Sequence, residues 1–266
     1  PIRKGSQFMQ YEGLKYAVEC NRRRALHCSG TFPWQFNEPY PNLYCTSSLD
    51  YFGNPKPAYY GVKKAYAPYL VNASFERASL QGKEWLEADI YGATNLPAQK
   101  ENRTYTVLAR IYALSGEILQ EEAFPLKKLQ IRASHAGKIR FSLKNTEEEL
   151  LLLRLALKEE GTEEILAENE YLFTTGRDLG AVFRMEAPEL TAEGQEEGFV
   201  LKNSGRSAAL FVFLTKEKGT YLYWKDNYFT LLPGEEKKLT GEGDWKASFV
   251  QALNMEYQKL EVTQCR

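Results

Sequence analysis

Residues 30–60 read GTFPWQFNEPYPNLYCTSSLDYFGNPKPAYY, and the rest of the chain is organised around this stretch. It combines Trp34, the adjacent pair Asn37 and Glu38, several prolines and a high density of aromatic side chains. Flat aromatic rings offer faces on which another ring can stack, and a carboxylate can act as a general acid or base. The stretch is therefore typical of a sugar site, with Glu38 as a candidate catalytic group.

The segments on either side of this stretch predict two helices. Residues 6–27 carry apolar side chains at the three-to-four spacing of an amphipathic helix, and Ser6 is a candidate N-cap. Residues 55–68 form the second predicted helix, with Pro57 near its first turn, where proline is favoured.

Between the two helices, residues 28–37 (CSGTFPWQFN) predict a short buried strand. Asn37 and Glu38 would then lie at the C-terminal end of that strand. A helix–strand–helix order with functional groups at the strand end is typical of a (β/α)8 barrel. Residues 1–68 would supply only one of the eight units that close such a barrel.

After Pro68 the pattern changes to short strands. Leu86, Ala88 and Ile90 alternate with polar residues, which indicates a strand with one buried face. Seven such runs follow one another, as in an immunoglobulin-like sandwich. Strands are predicted at residues 70–80, 83–94, 103–114, 117–126, 137–144, 149–158 and 165–175.

A second series of predicted strands follows Gly180. It includes residues 181–186 and the long run 220–232, and residues 248–254 close the sheet. The predicted fold is mainly β, with two immunoglobulin-like β-sandwiches preceded by a helix–strand–helix remnant of a barrel. The domain boundaries that this pattern predicts are 1–68, 69–176 and 177–266. Trp85, Trp224 and Trp245 fall in the strand regions and are predicted to pack in cores or between domains.

Composition excludes several classes of function. The formal net charge of −1 creates no field that would attract nucleic acid or an anionic membrane surface. No apolar run is long enough to span a bilayer. The four cysteines and two histidines lack metal-ligand spacing, so the sequence predicts no metal and no cofactor. The chain begins at Pro1 without a signal-like segment, which predicts an excised or processed piece of a soluble protein. The sequence does not determine the compartment, and a cytoplasmic location is favoured.

Three segments together resemble glycoside hydrolase family 2, in its β-mannosidase-like branch. They are SQFMQYEGLKYAVECNRRR (6–24), the stretch 30–60 continued to Val71, and DNYFTLLPGEEKKL (226–239). The first is similar to the seventh barrel helix of the family, and WQFNEPYP is similar to its eighth strand. The third is similar to the edge of the family's last immunoglobulin-like domain. The resemblance therefore implies the end of a catalytic barrel followed by terminal sandwiches.

The resemblance also implies roles for individual residues. Trp34 would line the floor of the sugar subsite, with a cis peptide bond to Gln35. Asn37 and Glu38 would lie at the rim of that subsite as substrate-binding residues, although the family more often has aspartate at the position of Glu38. Asp50 would hold the approach to the second helix.

For function, the resemblance implies retaining hydrolysis of β-linked sugars by two glutamates. Both would lie upstream of Pro1, so no catalytic residue is assigned here and the chain alone would be inactive. The implied partners are a β-linked glycoside in the whole protein, the upstream barrel domain and, through the open barrel edge, a second copy of the fragment. A β-mannoside is favoured over a β-galactoside or β-glucuronide. The alternative is a non-catalytic carbohydrate-binding or scaffolding β-sandwich module.

Overall fold

A computed structural model describes residues 2–42, 46–97, 103–162, 164–216, 222–245 and 248–263. The predicted mainly β class is confirmed, with four sheets that follow two helices. Cys45 and Cys265 lie outside the described residues, whereas Cys20 and Cys28 are free thiols. No helix in the described ranges is long and apolar enough to cross a membrane.

Helix α1 spans Ile2–Arg23. Its buried face follows helical spacing through Phe8, Tyr11, Lys15 and Val18, as an amphipathic helix requires. The predicted N-cap Ser6 is wrong, because the helix begins a turn earlier and the Ser6 hydroxyl donates to the carbonyl of Arg3 at 3.0 Å.

Helix α2 spans Pro57–Ala65 and begins at the predicted proline. It packs directly on α1 because Gly61 presents no side chain there. A Cβ atom at Gly61 would lie 3.0 Å from the ring of Tyr11 and 3.1 Å from its carbonyl oxygen. The guanidinium of Arg22 donates to the carbonyls of Ala65 and Ala67 at 2.8 and 2.7 Å, which ties the ends of the two helices together.

The predicted buried strand at 28–37 is wrong. Residues 29–42 contain no strand, and the described part of this connection has only two isolated bridges, Ala25 to Cys28 and Leu49 to Pro55. The apolar side chains of the segment point to solvent, with Phe32 92% exposed. A barrel strand needs hydrogen-bonded neighbours on both sides, and none of the described residues pairs with this segment along a ladder.

The first sandwich packs a three-stranded sheet, β1-β2-β5, against a four-stranded sheet, β4-β3-β6-β7. All its ladders are antiparallel. The predicted buried face of Leu86, Ala88 and Ile90 is confirmed, and these residues meet Leu151 and Leu153 in one core. The strands are β1 (Tyr69–Ser74), β2 (Trp85–Thr94), β3 (Tyr105–Ala113), β4 (Ile118–Leu126), β5 (Ser134–Ser142), β6 (Leu150–Glu159) and β7 (Ile165–Thr174).

The second sandwich packs sheet β12-β10-β14-β15 against sheet β11-β13-β9-β8-β16. Its core contains Phe199, Leu201, Val212, Trp224 and Val250. The strands are β8 (Leu190–Gln195), β9 (Gly198–Asn203), β10 (Ala209–Lys216), β11 (Leu222–Trp224), β12 (Phe229–Leu231), β13 (Glu236–Gly243), β14 (Ser248–Ala252), β15 (Met255–Lys259) and β16 (Val262–Thr263).

Two strand predictions in this half are wrong. Residues 181–184 of the predicted run belong to a 3-10 helix, Leu179–Arg184, which Asp178 caps by accepting from the amide of Gly180 at 2.8 Å. The run 220–232 is interrupted between β11 and β12. There the Asn227 side chain binds both the amide and the carbonyl of Leu214, which replaces ladder hydrogen bonds by a turn.

Of the three tryptophan predictions, two are confirmed and one is wrong. Trp224 is 3% exposed in the core of the second sandwich, and Trp245 packs against the same core, so both are confirmed. The prediction for Trp85 is wrong, because its side chain projects from the outer face of β2 and is 37% exposed. Trp85 is the first residue of its strand, and alternation places it on the side opposite Leu86.

A third apolar cluster joins the helices to both sandwiches. Phe8 and Tyr11 of α1 meet the ring of Phe211 edge to face, with ring centroids 5.1 and 4.9 Å apart. Tyr112 and Leu152 come from the first sandwich and Phe211 from the second, so the two sandwiches pack directly on each other. The connection between α1 and α2 therefore projects from a rigid base.

Candidate functional site

The connection between α1 and α2 presents a row of exposed aromatic side chains, which we call the aromatic segment (residues 32–42 and 46–52). Trp34 is 81% exposed at its centre, and Phe36, Tyr40 and Phe52 are also exposed. Exposed aromatic groups in this number mark a binding site or an interface. The peptide bond between Trp34 and Gln35 is cis, as predicted.

Backbone hydrogen bonds hold the aromatic segment in place. The amide of Ser48 donates to the carbonyls of Gln35 and Phe36 at 3.0 and 3.1 Å, and the amide of Leu49 donates to Phe36 at 2.8 Å. Gln10 of α1 donates its side-chain amide to the carbonyl of Thr46 at 2.7 Å. The backbone around Trp34 is therefore fixed, whereas the Trp34 ring is exposed to solvent.

Glu38 lies in a buried polar cluster instead of facing solvent with Trp34. Its residue is 4% exposed, and its carboxylate accepts from the Ser47 hydroxyl at 2.6 Å and from the Lys56 ammonium. Lys56 also donates to the Ser47 hydroxyl at 2.8 Å. Hydrogen bonds from Lys56 and Ser47 hold the pKa of Glu38 below its usual value. The carboxylate is therefore ionised at neutral pH and ties residues 38, 47 and 56 together.

The three predicted substrate-binding residues are close together in the sequence, but they differ in exposure to solvent. Trp34 and Asn37 are exposed, whereas Glu38 is buried beneath them. Asp50 accepts from the amide and the side chain of Asn54, both at 2.8 Å, and closes the turn before α2. The predicted structural role of Asp50 is confirmed.

A family model described as an Ig-fold domain, Ig_mannosidase, matches residues 185–257. Beta-mannosidase B of Aspergillus terreus is 28% identical over 124 residues, which are 44% of this chain and 14% of that protein. Beta-mannosidase B of Aspergillus niger is 34% identical over 74 residues, which are 27% of this chain and 9% of that protein. The aligned part therefore spans only a small share of the curated relatives.

Solved structures share the fold over nearly the whole chain. The exo-chitosanase of Amycolatopsis orientalis matches with a TM-score of 0.71 and 20% identity over 95% of this chain and 34% of that chain. The β-D-mannosidase from Dictyoglomus thermophilum matches with a TM-score of 0.64 and 20% identity over 98% of this chain and 30% of that chain. The resemblance to β-mannosidase-like glycoside hydrolases of family 2 is confirmed.

Sequence reasoning missed the buried polar contacts that join α1 to β7. Glu19 of α1 is buried and accepts from Asn169 and Tyr171 of β7, both at 2.7 Å. These partners are 150 and 152 positions away along the chain. A glutamate at helical spacing next to apolar residues is the signal that could have indicated a buried contact.

The cluster around Glu38 leads to the first prediction. Lys56→Met leaves the buried carboxylate of Glu38 without its cation, and breaking one partner of a buried ion pair is strongly destabilising. We expect residues 46–56 to be cleaved by a protease about tenfold faster than in the wild-type chain. Limited proteolysis followed by mass spectrometry measures this rate.

The matched control is Lys144→Met, which removes the exposed pair with Glu84 and should leave the cleavage rate unchanged. Equal cleavage rates for all three proteins would contradict the role of Lys56.

Proposed function

We propose that this chain is the C-terminal part of a retaining family 2 glycoside hydrolase that cleaves a β-mannoside. In the whole protein, Trp34 would stack on the sugar ring beside the scissile bond. Asn37 would hydrogen-bond a sugar hydroxyl. The two catalytic glutamates would come from barrel residues outside this sequence, and the chain alone would be inactive.

The observation that carries this proposal is the exposure of Trp34 and Asn37 on a connection whose backbone is fixed. A sugar site needs a flat apolar face and nearby hydrogen-bonding groups in a preorganised arrangement. The similarity to two enzymes named Beta-mannosidase B supports a β-mannoside as the substrate.

The burial and the ion pair of Glu38 support the proposal that both catalytic carboxylates lie elsewhere in the whole protein. A retaining glycosidase needs two carboxyl groups about 5–5.5 Å apart, one as the nucleophile and one as the acid/base. Glu38 is buried and bound by Ser47 and Lys56, which does not suit attack on a sugar. Its lowered pKa keeps it ionised at neutral pH, so it has no proton to donate there. We assign it a positioning role, in which it acts on substrate through the backbone that carries Trp34 and Asn37.

The exposed aromatic segment also supports a partner. Apolar side chains as exposed as Phe32, Trp34 and Phe52 are covered in most stable proteins. The remaining barrel units of the whole protein would cover part of this surface and leave Trp34 open to the sugar. A second copy of the chain is the other occupant that this surface allows.

The second prediction tests this function on the natural protein that contains this sequence. We expect it to hydrolyse 4-nitrophenyl β-mannoside faster than the β-galactoside or β-glucuronide. Trp34→Ala should lower kcat/KM by about 100-fold, because loss of a positioning contact costs about that much. Phe183→Ala is the matched control, since Phe183 is an exposed aromatic residue on the 3-10 helix.

Two results would contradict the proposal. One is an unchanged kcat/KM in Trp34→Ala. The other is hydrolysis by the 266-residue chain alone that disappears in Glu38→Gln, because it would make Glu38 a catalytic residue.

A further inference from the structure

A groove on the outer face of the first sandwich contains the exposed Trp85. The groove has a volume of about 390 Å³ and lies between the loop at residues 75–83 and the outer faces of β2 and β5. Its lining includes Trp85, Glu87 and Asp89 of β2 and Lys138 of β5. The outer face of a sheet in a sandwich is normally a plain solvated surface, so an indentation with an aromatic wall is a candidate site.

One face of the Trp85 ring is already occupied. The guanidinium carbon of Arg140 lies 4.7 Å from the ring centroid, at cation–π distance. Arg140 is not among the residues that line the groove. Trp85 is 37% exposed and itself lines the groove, so part of its side chain stays open to the groove although Arg140 lies over one face.

The charges of the groove compensate one another. Glu76 pairs with Lys83 at 2.8 Å, and Asp89 pairs with Lys138 at 3.5 Å. Glu87 pairs with Arg140 at the rim at 2.7 Å. The lining itself carries three carboxylates (Glu76, Glu87 and Asp89) and three cations (Arg77, Lys83 and Lys138), so the groove has no excess charge to attract an ionic ligand. It offers many donors and acceptors for hydroxyl groups.

The loop that forms the other wall is held in place before any ligand binds. The Tyr16 hydroxyl of α1 donates to the carbonyl of Phe75 at 2.9 Å and accepts from its amide at 3.1 Å. The amide of Leu80 donates to the carbonyl of Thr174 at 2.7 Å, and the Ser79 hydroxyl donates to Gly176 at 2.9 Å. A preorganised wall lowers the entropy cost of binding.

We propose that this groove binds a neutral oligosaccharide, with one sugar ring stacked on Trp85 and the paired charges bonding its hydroxyl groups. A pyranose ring presents an apolar face of C–H groups that matches an indole ring, and its hydroxyls match a rim of mixed donors and acceptors. The site belongs to the first sandwich and uses no residue of the aromatic segment. It therefore goes beyond the proposed hydrolytic function and does not depend on it.

The experiment titrates the 266-residue chain with mannohexaose, cellohexaose and N-acetylchitohexaose, and with an oligogalacturonate as the charged comparison. Isothermal calorimetry measures the affinity. We expect saturable binding of at least one neutral hexasaccharide and weakening by at least about tenfold in Trp85→Ala. Trp85→Phe should lie between the two, because it keeps a smaller ring. Lys138→Met, which leaves the ring intact, should weaken binding several-fold.

Two further variants separate this site from the proposed sugar subsite. Trp34→Ala and the surface control Phe183→Ala should bind the hexasaccharide as the wild-type chain does. Loss of binding in Trp34→Ala with full binding in Trp85→Ala would overturn the inference and support the proposed function. Binding of no neutral hexasaccharide, or of the oligogalacturonate alone, would also overturn it.

Discussion

Replacing Lys15 by methionine is expected to lower the free energy of unfolding by about 3–5 kcal/mol, the cost of leaving buried charges without their partner. Lys15 is 1% exposed in the interface between α1 and β7. Its ammonium lies 3.0 Å from the carboxylate of Glu12, donates to the carbonyl of Glu170 at 2.8 Å and sits 4.6 Å from the ring centroid of Tyr171. Methionine fills a similar volume but provides none of these contacts.

The carboxylates beside Lys15 explain the size of the effect. Burial raises the pKa of Glu12 and of Glu19, and the charge of Lys15 opposes this shift in both. Burial would lower the pKa of Lys15, but Glu12, Tyr11 and Glu19 raise it above its ordinary value, so the lysine stays charged. Without this cation, the buried carboxylate of Glu19 and the partly buried carboxylate of Glu12 have less compensation at neutral pH.

Urea unfolding at pH 7 measures the loss as a shift of the midpoint. Lys144→Met, which breaks an exposed pair with Glu84, should change stability by less than about 1 kcal/mol. The double variant Lys15→Met/Glu12→Gln should recover part of the loss, because it removes one uncompensated charge. A loss below about 1 kcal/mol in Lys15→Met would show that Lys15 contributes no more than a surface lysine.

The periodic parts of the fold could be predicted from the sequence because hydrophobic spacing determines which face is buried. Leu86, Ala88 and Ile90 alternate along β2, and their burial follows from a period of two. Pro57 indicated the start of α2 for a similarly local reason, since its fixed φ suits the first turn. Such signals need no knowledge of distant residues.

Features that depend on distant partners could not be predicted. Lys15 and Glu19 lie on α1, but their partners on β7 lie about 150 positions later in the chain. The register of a sandwich decides which charged side chains meet a helix, and no local pattern contains that register. The strand predicted at residues 181–186 is wrong for a related reason. The apolar residues of the 3-10 helix Leu179–Arg184 pack on one side only, against residues of other elements.

The candidate site also contains features that local sequence predicts and features that it does not. Aromatic density and the family resemblance indicated Trp34 and its cis peptide bond, and the structure has both Trp34 at the surface and the cis bond. The pairing of Glu38 with Lys56 depends on how the connection turns back on itself, which the sequence does not encode locally. The large apolar ring of Trp85 predicts packing in a core or between domains, whereas alternation along β2 places it on the outer face, opposite Leu86.

A second large effect is expected at the junction of the two sandwiches, where Arg154→Met should cost about 2–4 kcal/mol at pH 7. The guanidinium of Arg154 on β6 lies 3.2 Å from the carboxylate of Glu170 and 2.5 Å from that of Glu235. It also donates to the carbonyl of Thr230 at 2.8 Å. Since Glu235 and Thr230 belong to the second sandwich, one side chain of the first sandwich holds the two together.

The pH dependence of this loss distinguishes a charge effect from lost packing. Burial raises the pKa of Glu170, but Arg154, Lys64 and the amide of Thr230 outweigh it and hold the pKa below the ordinary value of 4.5. A carboxylate with a lowered pKa stabilises the fold above its unfolded pKa, and this contribution is lost as the pH falls through the folded pKa. The wild-type chain should therefore lose stability in acid below about pH 4.5.

In Arg154→Met the pKa of Glu170 is higher than in the wild-type chain, because the largest of the contributions that lower it is gone while burial still raises it. The variant therefore loses less stability than the wild type as the pH falls. The difference between variant and wild type, measured by urea unfolding from pH 7 to 4, should be largest at neutral pH and narrow below about pH 5. Arg184→Met, which breaks an exposed pair with Glu149, should show a small difference at every pH. A loss in Arg154→Met that stays constant from pH 7 to 4 would mean that Arg154 joins the sandwiches by packing and not by its charge.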